Sequence, residues 1–183
     1  MACTSGWTWV LAELLLLRHG IAEERCPGRD DGLRQLTPEG WRRTRQVVDQ
    51  LSRLGLGGDR LITSPLARAR QTADIAFAAG LAASLEASEA LAPGGEALAL
   101  LLARLEAQEA EQRLLLVGHE PDLGGLAARL IGAACGSIAL KKAGVALLRC
   151  SDAVAPGCWQ LRLLMAPRQL LCERARREVG LQP

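Results

Sequence analysis

At 183 residues, 49% apolar and 23% charged, the chain has the make-up of a globular domain able to bury a substantial core, which excludes a disordered chain. A formal net charge of +2 argues against a nucleic-acid binder or a membrane-surface protein, and four Trp, one Phe and no Tyr leave little with which to stack single-stranded bases. Six cysteines with no C-x-x-C pair and only two histidines make poor material for a metal site and read as reduced thiols of a cytoplasmic protein.

Residues 1–12 show no period and read as a loose N-terminal extension. The apolar stretch up to Leu17 contains Glu13 and has no Lys or Arg before it, which is wrong for a signal peptide and too short for a membrane span. A strand is expected over 11–17, then a polar, turn-rich loop at Cys26–Gly32. Thr37-Pro38 opens a helix with Thr as N-cap, and Trp41, Thr44, Val48, Leu51 and Leu54 keep helical spacing up to a stop at Gly55. The same grammar repeats with Leu61–Thr63 as a short strand, Ser64-Pro65 as N-cap and first helical position, a helix through Ala79, and Gly80 as its end. Leu81–Leu91 is Ala-rich and reads as loop with a short strand. The Pro93-Gly94-Gly95 turn feeds a helix from Glu96 to about Gln108.

Arg113–Val117 reads as a strand, and a helix follows Pro121 as far as Ile131, where Gly132 ends it. Lys141-Lys142 opens a late strand centred on Val145–Cys150, Trp159–Met165 makes another, and residues 168–183 carry a C-terminal helix from about Gln169 to Val179. Alternating strands and helices predict one α/β domain over 1–183, a three-layer α/β/α sandwich around a mostly parallel sheet. The basic clusters Arg42-Arg43-Thr44-Arg45, Lys141-Lys142 and Arg174, Arg176 and Arg177 read first as solvated faces; a docking surface for an acidic partner is the lesser reading.

Both histidines close apolar runs. His19 follows Leu14-Leu15-Leu16-Leu17-Arg18 and precedes Gly20; His119 follows Leu114-Leu115-Leu116-Val117-Gly118 and precedes Glu120-Pro121. Ligands of open α/β sheets bind just beyond the carboxyl ends of such strands, so the two imidazoles are expected in one crevice. An imidazole nitrogen is a nucleophile at neutral pH. An adjacent guanidinium matches phosphate oxygens, and glycine lets the backbone turn sharply. If strand alternation continued, Arg18 and His19 would point to opposite sides, so Gly20 must break it. Ser64-Pro65-Leu66-Ala67-Arg68 places a second arginine in the first turn of a helix, where free N–H groups already favour an anion. Arg70 falls about 200° around that helix and should meet solvent.

These residues resemble the histidine phosphatase superfamily, also called phosphoglycerate mutase-like, and within it the small SixA-type phosphohistidine phosphatases. Arg18-His19-Gly20, Ser64-Pro65-x-x-Arg68-Ala69-x-Gln71-Thr72 and Gly118-His119 match its signature segments. So, in order, do Leu17–Glu23, Leu36–Gly40, Leu91–Gly95 and Gly118–Leu123. The resemblance runs from about Leu14 to Pro167. It implies the phosphoglycerate mutase-like fold, a nucleophilic His19 that becomes phosphorylated, a phosphoryl pocket of Arg18, Gly20, Arg68 and His119, and neither metal nor organic cofactor. The implied partners are a phosphohistidine-bearing protein or a small phosphorylated molecule, with no nucleic acid and no membrane.

One departure concerns the general acid. Larger members of the superfamily place a carboxylate in an extended insertion, where this chain has a short Ala-rich stretch with Glu86, Glu89 and Glu96; Glu120 is a further candidate, although a helix N-terminal acid is the plainer role. An alkoxide leaving group needs a proton in the transition state, whereas a phosphorylated imidazole leaves more readily. The expected activity is therefore removal of phosphoryl from phosphohistidine on a partner protein, through a covalent intermediate at His19. The alternatives are a phosphomonoesterase or mutase acting on a small metabolite, and a non-catalytic phosphate-binding module.

Overall fold

A computed structural model describes residues 12–106, 113–150 and 155–171. All but the last residue of the expected N-terminal extension lies outside them. Residues 167–171 are helical, and the remainder of the expected C-terminal helix also falls outside.

Six strands among the described residues form one sheet: β1 (Ala12–Arg18), β2 (Gly58–Thr63), β3 (Ala82–Ala87), β4 (Arg113–Gly118), β5 (Val145–Cys150) and β6 (Trp159–Met165), in the order β3-β2-β4-β1-β5-β6. The first four of that order are mutually parallel, β5 is antiparallel to β1, and β6 is antiparallel to β5, so β5 alone opposes the rest. The helices are α1 (Pro38–Arg53), α2 (Ala67–Ala78), α3 (Ala97–Glu106) and α4 (Asp122–Leu130).

The unbroken Leu run of β1 has a direct cause. Leu14 and Leu16 enter one core with Leu101 of α3 and Leu123, Leu126 and Leu130 of α4, while Leu15 and Leu17 enter a second core with Val47, Val48 and Leu51 of α1 and Ala69, Ala73 and Ile75 of α2. β4 divides in the same way, Leu114 and Leu116 against Leu115 and Val117. A strand buried on both faces has no polar side to alternate with. The result is the three-layer α/β/α sandwich expected from the sequence.

Local signals explain most element boundaries and fail in three places, at Leu54, Ser64-Pro65 and Lys141-Lys142. Thr37 caps α1 as expected, its Oγ1 accepting from Gly40 N at 3.0 Å, with Pro38 in the first turn. Leu54, however, sits at the C-cap and is 55% exposed, so the apolar spacing extends one turn less than predicted. α2 starts at Ala67 and not at Pro65; Leu66 holds the N-cap position with extended backbone, and no side chain caps the helix. Ser64 is unavailable because its N–H donates to Val117 O at 2.9 Å and its hydroxyl pairs with His119. The ambiguous Leu81–Leu91 stretch resolves into β3 and a 3-10 turn at Glu89–Leu91; as an edge strand, β3 leaves Ala83, Ser84 and Ala87 exposed and shows no clean alternation. Lys141 and Lys142 precede β5 in a turn and do not open it.

The helices after β1 and β4 pack on opposite faces of the sheet although the two strands are neighbours. That arrangement opens a crevice beyond their carboxyl ends. One wall of it is the segment around Ile138–Leu140, brought close by Gly124 of α4, where an added Cβ would lie 2.3 Å from Ile138 O. The neighbouring Gly125 has nothing within 4 Å.

Alanine at these two positions should act in opposite directions. Gly125→Ala gains helix propensity and should stabilise by about 0.5–1 kcal/mol. Gly124→Ala gains the same propensity but drives a methyl into a backbone carbonyl, so it should destabilise by roughly 1–3 kcal/mol. Urea unfolding of the two variants beside the parent chain measures both signs.

Candidate active site

β1 and β4 end level with each other: Arg18 lies opposite Gly118, and His19 N donates to Gly118 O at 3.1 Å. The next residue on each strand is a histidine. Their ring centroids are 5.1 Å apart, with planes inclined by 54°, and both rings are buried.

A ring hydrogen bond fixes the proton of His19. His19 Nδ1 lies 2.7 Å from Gly20 O; a carbonyl only accepts, so Nδ1 carries the hydrogen and Nε2 keeps a free lone pair. His119 Nε2 lies 2.8 Å from Ser64 Oγ. That hydroxyl also accepts from Leu66 N at 3.3 Å, and with a second lone pair and one proton it can pair with Nε2 either as donor or as acceptor. Nδ1 is buried and has no partner within the protein.

Burial is the main reason that His19 titrates far below its ordinary range, at about 3, with the charges of His119, Arg68 and Arg18 acting in the same direction. Burial likewise takes His119 down to about 4, assisted by Arg68 and then Arg18 and opposed by Asp31. Both imidazoles are neutral at pH 7.

Arg68 is the second residue of α2 and 2% exposed. Its Nη1 donates to Asp31 O at 2.8 Å and its Nη2 to Asp31 Oδ2 at 3.1 Å. Arg18 Nη1 donates to Leu140 O at 2.8 Å. Burial lowers the pKa of both guanidinium groups, yet such groups remain charged at neutral pH. Six buried side-chain polar atoms among the described residues have no protein partner, and three of them are Arg18 Nε, Arg68 Nε and His119 Nδ1. The two Nε groups are donors. Buried donors are normally satisfied, and a tetrahedral oxyanion offers the acceptors these lack.

The remaining polar residues of the motif fasten the loops. Gly20 N donates to Thr72 Oγ1 at 3.0 Å, Thr72 Oγ1 donates to Arg68 O at 2.8 Å, and Gln71 Oε1 accepts from Leu36 N at 2.7 Å. Gly20 is required by packing, since a Cβ there would meet Thr44 Oγ1 of α1 at 2.3 Å. Arg70 faces outward, as predicted, and pairs with Asp74.

Asp31 was not singled out by sequence reasoning. Its Oδ1 receives Arg25 Nε and Arg34 Nε, each at 2.8 Å, while its Oδ2 receives Arg68. The Arg34 hydrogen bond, then the charges of Arg68, Arg34 and Arg25, hold its pKa down at about 2. The available signal was an acid and an arginine three apart in the loop after β1. The partner that matters lies 37 residues further on.

The candidate acids are dispersed. Glu86 pairs with Arg104 and, at 3.8 Å, with Arg60. Glu89 and Glu96 are exposed. Glu120 Oε1 accepts from Leu140 N at 2.9 Å. Among the described residues no carboxylate hydrogen-bonds to either imidazole.

The model of the histidine phosphatase superfamily (branch 1) matches residues 14–93. An uncharacterized protein of Picosynechococcus sp. is 44% identical over 164 residues, which cover 87% of this chain and 99% of the other. The solved structure of a protein histidine phosphatase SixA complexed with tungstate superposes with a TM-score of 0.74 at 26% identity, covering 86% of this chain and 99% of that one. A chain from Agrobacterium tumefaciens, solved under the name phosphohistidine phosphatase SixA, gives a TM-score of 0.69 at 26% identity over 85% and 97% of the two chains. No helix among the described residues is long and apolar enough to cross a membrane.

The buried neutral histidines make stability depend on pH. Each folded-state pKa lies below the ordinary histidine value of 6.5, so below about pH 6.5 the unfolded chain binds protons that the native chain does not, and stability falls with pH until about 4 for His119 and about 3 for His19. The slope should reach on the order of 1 kcal/mol per pH unit for each histidine. Asp31 adds its own loss only lower, between its ordinary 3.8 and about 2. Urea midpoints should therefore drop between about pH 7 and pH 5, and a double His19→Asn, His119→Asn variant should lose that slope, there being no other histidine in the chain.

Proposed function

The chain belongs to the histidine phosphatase superfamily, branch 1, and is a phosphatase; from that premise we propose that its substrate is phosphohistidine on a partner protein and that His19 carries the phosphoryl group. One observation bears most of the weight: a neutral imidazole with a fixed tautomer lies beside a second imidazole and within the field of two guanidinium groups whose buried Nε donors have no protein acceptor. The likeness to the tungstate complex of SixA supports the same reading, tungstate being a tetrahedral oxyanion.

Each residue then takes a role that the geometry supports. The Gly20 carbonyl holds the His19 hydrogen on Nδ1, so the Nε2 lone pair is free to attack phosphorus. A bond forms between Nε2 and phosphorus while the bond from phosphorus to the substrate imidazole nitrogen breaks. When the other nitrogen of that ring already carries hydrogen, the ring leaves as neutral imidazole and needs no acid. Arg18, Arg68 and the Nδ1–H of His119 donate to the equatorial oxygens, preorganised by Leu140, Asp31 and Ser64 respectively. Water then attacks the phosphorus of phospho-His19, releasing inorganic phosphate and returning the lone pair to Nε2. Because His119 is neutral, it contributes a directed hydrogen bond and not a third positive charge.

Incubation with a protein labelled on phosphohistidine should leave an acid-labile, base-stable label on this chain, absent in His19→Ala. Persistence of the label in that variant would sink the assignment; release from small phosphate esters alone would favour the metabolite reading. Arg68→Ala should cost about 2.7–4 kcal/mol of transition-state stabilisation, a fall of roughly a hundred- to a thousandfold in rate.

Ser64 provides an independent check on the tautomer. On this reading the Ser64 hydroxyl gives its proton to Nε2; Ser64→Ala removes it, so the ¹⁵N spectrum of His119 should shift toward a mixture of tautomers. The rate should fall roughly two- to tenfold, the worth of one neutral hydrogen bond. Ser64→Thr should restore both.

A further inference from the structure

Between α4 and β5 the chain passes the site in a turn whose two ends are bonded to the catalytic machinery. Leu140 is held through both peptide groups: its carbonyl accepts from Arg18 Nη1 at 2.8 Å and its N–H donates to Glu120 Oε1 at 2.9 Å. Three residues later, Ala143 N donates to Arg18 O at 3.1 Å and His19 O at 3.0 Å, and Gly144 O accepts from Arg18 N at 3.1 Å. Gly144 N closes the turn onto Lys141 O at 2.6 Å. Ala143 is buried and adopts φ 56°, a left-handed conformation that a residue with a Cβ rarely takes unless its surroundings impose it.

The residues carried by this stiff turn are Lys141 and Lys142. Both are exposed, and neither takes part in an ion pair among the described residues. The residues from 138 to 144 include no acid, and the nearby Glu120 carboxylate is turned to the Leu140 amide. The loop that holds Arg68 differs. The loop from Glu23 to Arg34 lines a cavity of about 1010 Å³ and mixes Glu23, Glu24, Asp30 and Asp31 with Arg25, Arg29 and Arg34. Charge at the mouth of the site is therefore lopsided, with two unpaired ammonium groups on the turn and a near-balanced mixture on the loop.

We infer that the Lys141–Lys142 turn is the docking rim for the protein substrate, and that it selects phosphohistidines set in an acidic surface. The inference rests on the phosphohistidine reading above and names the partner that reading leaves open. A small phosphorylated molecule fills the pocket without reaching beyond it, whereas a folded partner presents neighbouring carboxylates to the rim. The rigidity of the turn has the same consequence: the backbone that carries the two lysines is fixed relative to the His19 backbone, so they orient the partner's acidic surface as well as attract it. Rim charges of this kind act through encounter rate and ionic strength.

The test uses the full chain and peptides of equal length carrying a stable phosphonate analogue of phosphohistidine, flanked by Asp and Glu, by Asn and Gln, or by Lys. The parent protein should bind the acidic peptide roughly three- to tenfold more tightly than the neutral one, on the scale of two exposed ion pairs, and salt should erase the difference. K141E/K142E should reverse the order and prefer the lysine-flanked peptide, which a folding defect cannot do, while turnover of free phosphohistidine stays at the parent rate. Absence of any charge preference in the parent, an order unchanged in K141E/K142E, or an equal loss on all three peptides would each overturn the docking rim. The two readings separate cleanly. Lysine-dependent binding without phosphate release from phosphohistidine keeps the rim and removes the substrate assignment, and release without charge preference does the reverse.

Discussion

Two parallel strands that stop at the same level put whatever follows them side by side, and the rest of this structure depends on that. The β1 and β4 pairing runs without a slip from Glu13 opposite Arg113 to Arg18 opposite Gly118. A displacement by one residue would turn every Leu of the run toward the wrong core and separate the imidazoles at the same time. Core packing and site geometry are thus set by one register. The hydrophobic cost of changing it protects the site, although none of the leucines touches the chemistry.

Given that placement, the difficulty is electrostatic. Two guanidinium groups and two imidazoles lie in a buried crevice, and withdrawing a charge from water costs several kcal/mol unless it is paired. The imidazoles respond by staying neutral. Arg68 is offset by the Asp31 carboxylate and carbonyl, and Arg18 by the Leu140 carbonyl with Glu120 behind it. Arg68 thereby has both outer nitrogens engaged by protein and Arg18 has Nη1 engaged, while the Nε of each has no protein partner. Asp31 is shared among three arginines, so the region keeps a net positive field, as a phosphoryl group requires.

Much of this was legible in the sequence because it is written in local chemistry. Two apolar runs ending in histidine gave the strands and the crevice, and Thr37-Pro38 gave the start of α1. Two of the failures share a cause. Ser64 looks like an N-cap, but its hydroxyl is claimed by a histidine 55 residues away. Asp31 looks like turn material until Arg68 is folded against it. Leu54 keeps the helical spacing and is exposed because α1 ends there. β3 shows no strand periodicity because an edge position does not demand it. For Ser64 and Asp31 a tertiary contact decided what local propensity left open, and one sequence read alone carries no trace of which distant residue will arrive.

Gly20 is the residue in which these constraints meet. Its N–H is tied through Thr72 to the helix that carries Arg68, and the space where its side chain would be is occupied by the Thr44 hydroxyl. Positions 20 and 44 therefore divide a single volume between them. In related chains of this architecture a larger residue at one should be matched by a smaller residue at the other, so the two positions should drift in concert over evolutionary time even though one lies on the loop after the first strand and the other in the middle of a helix.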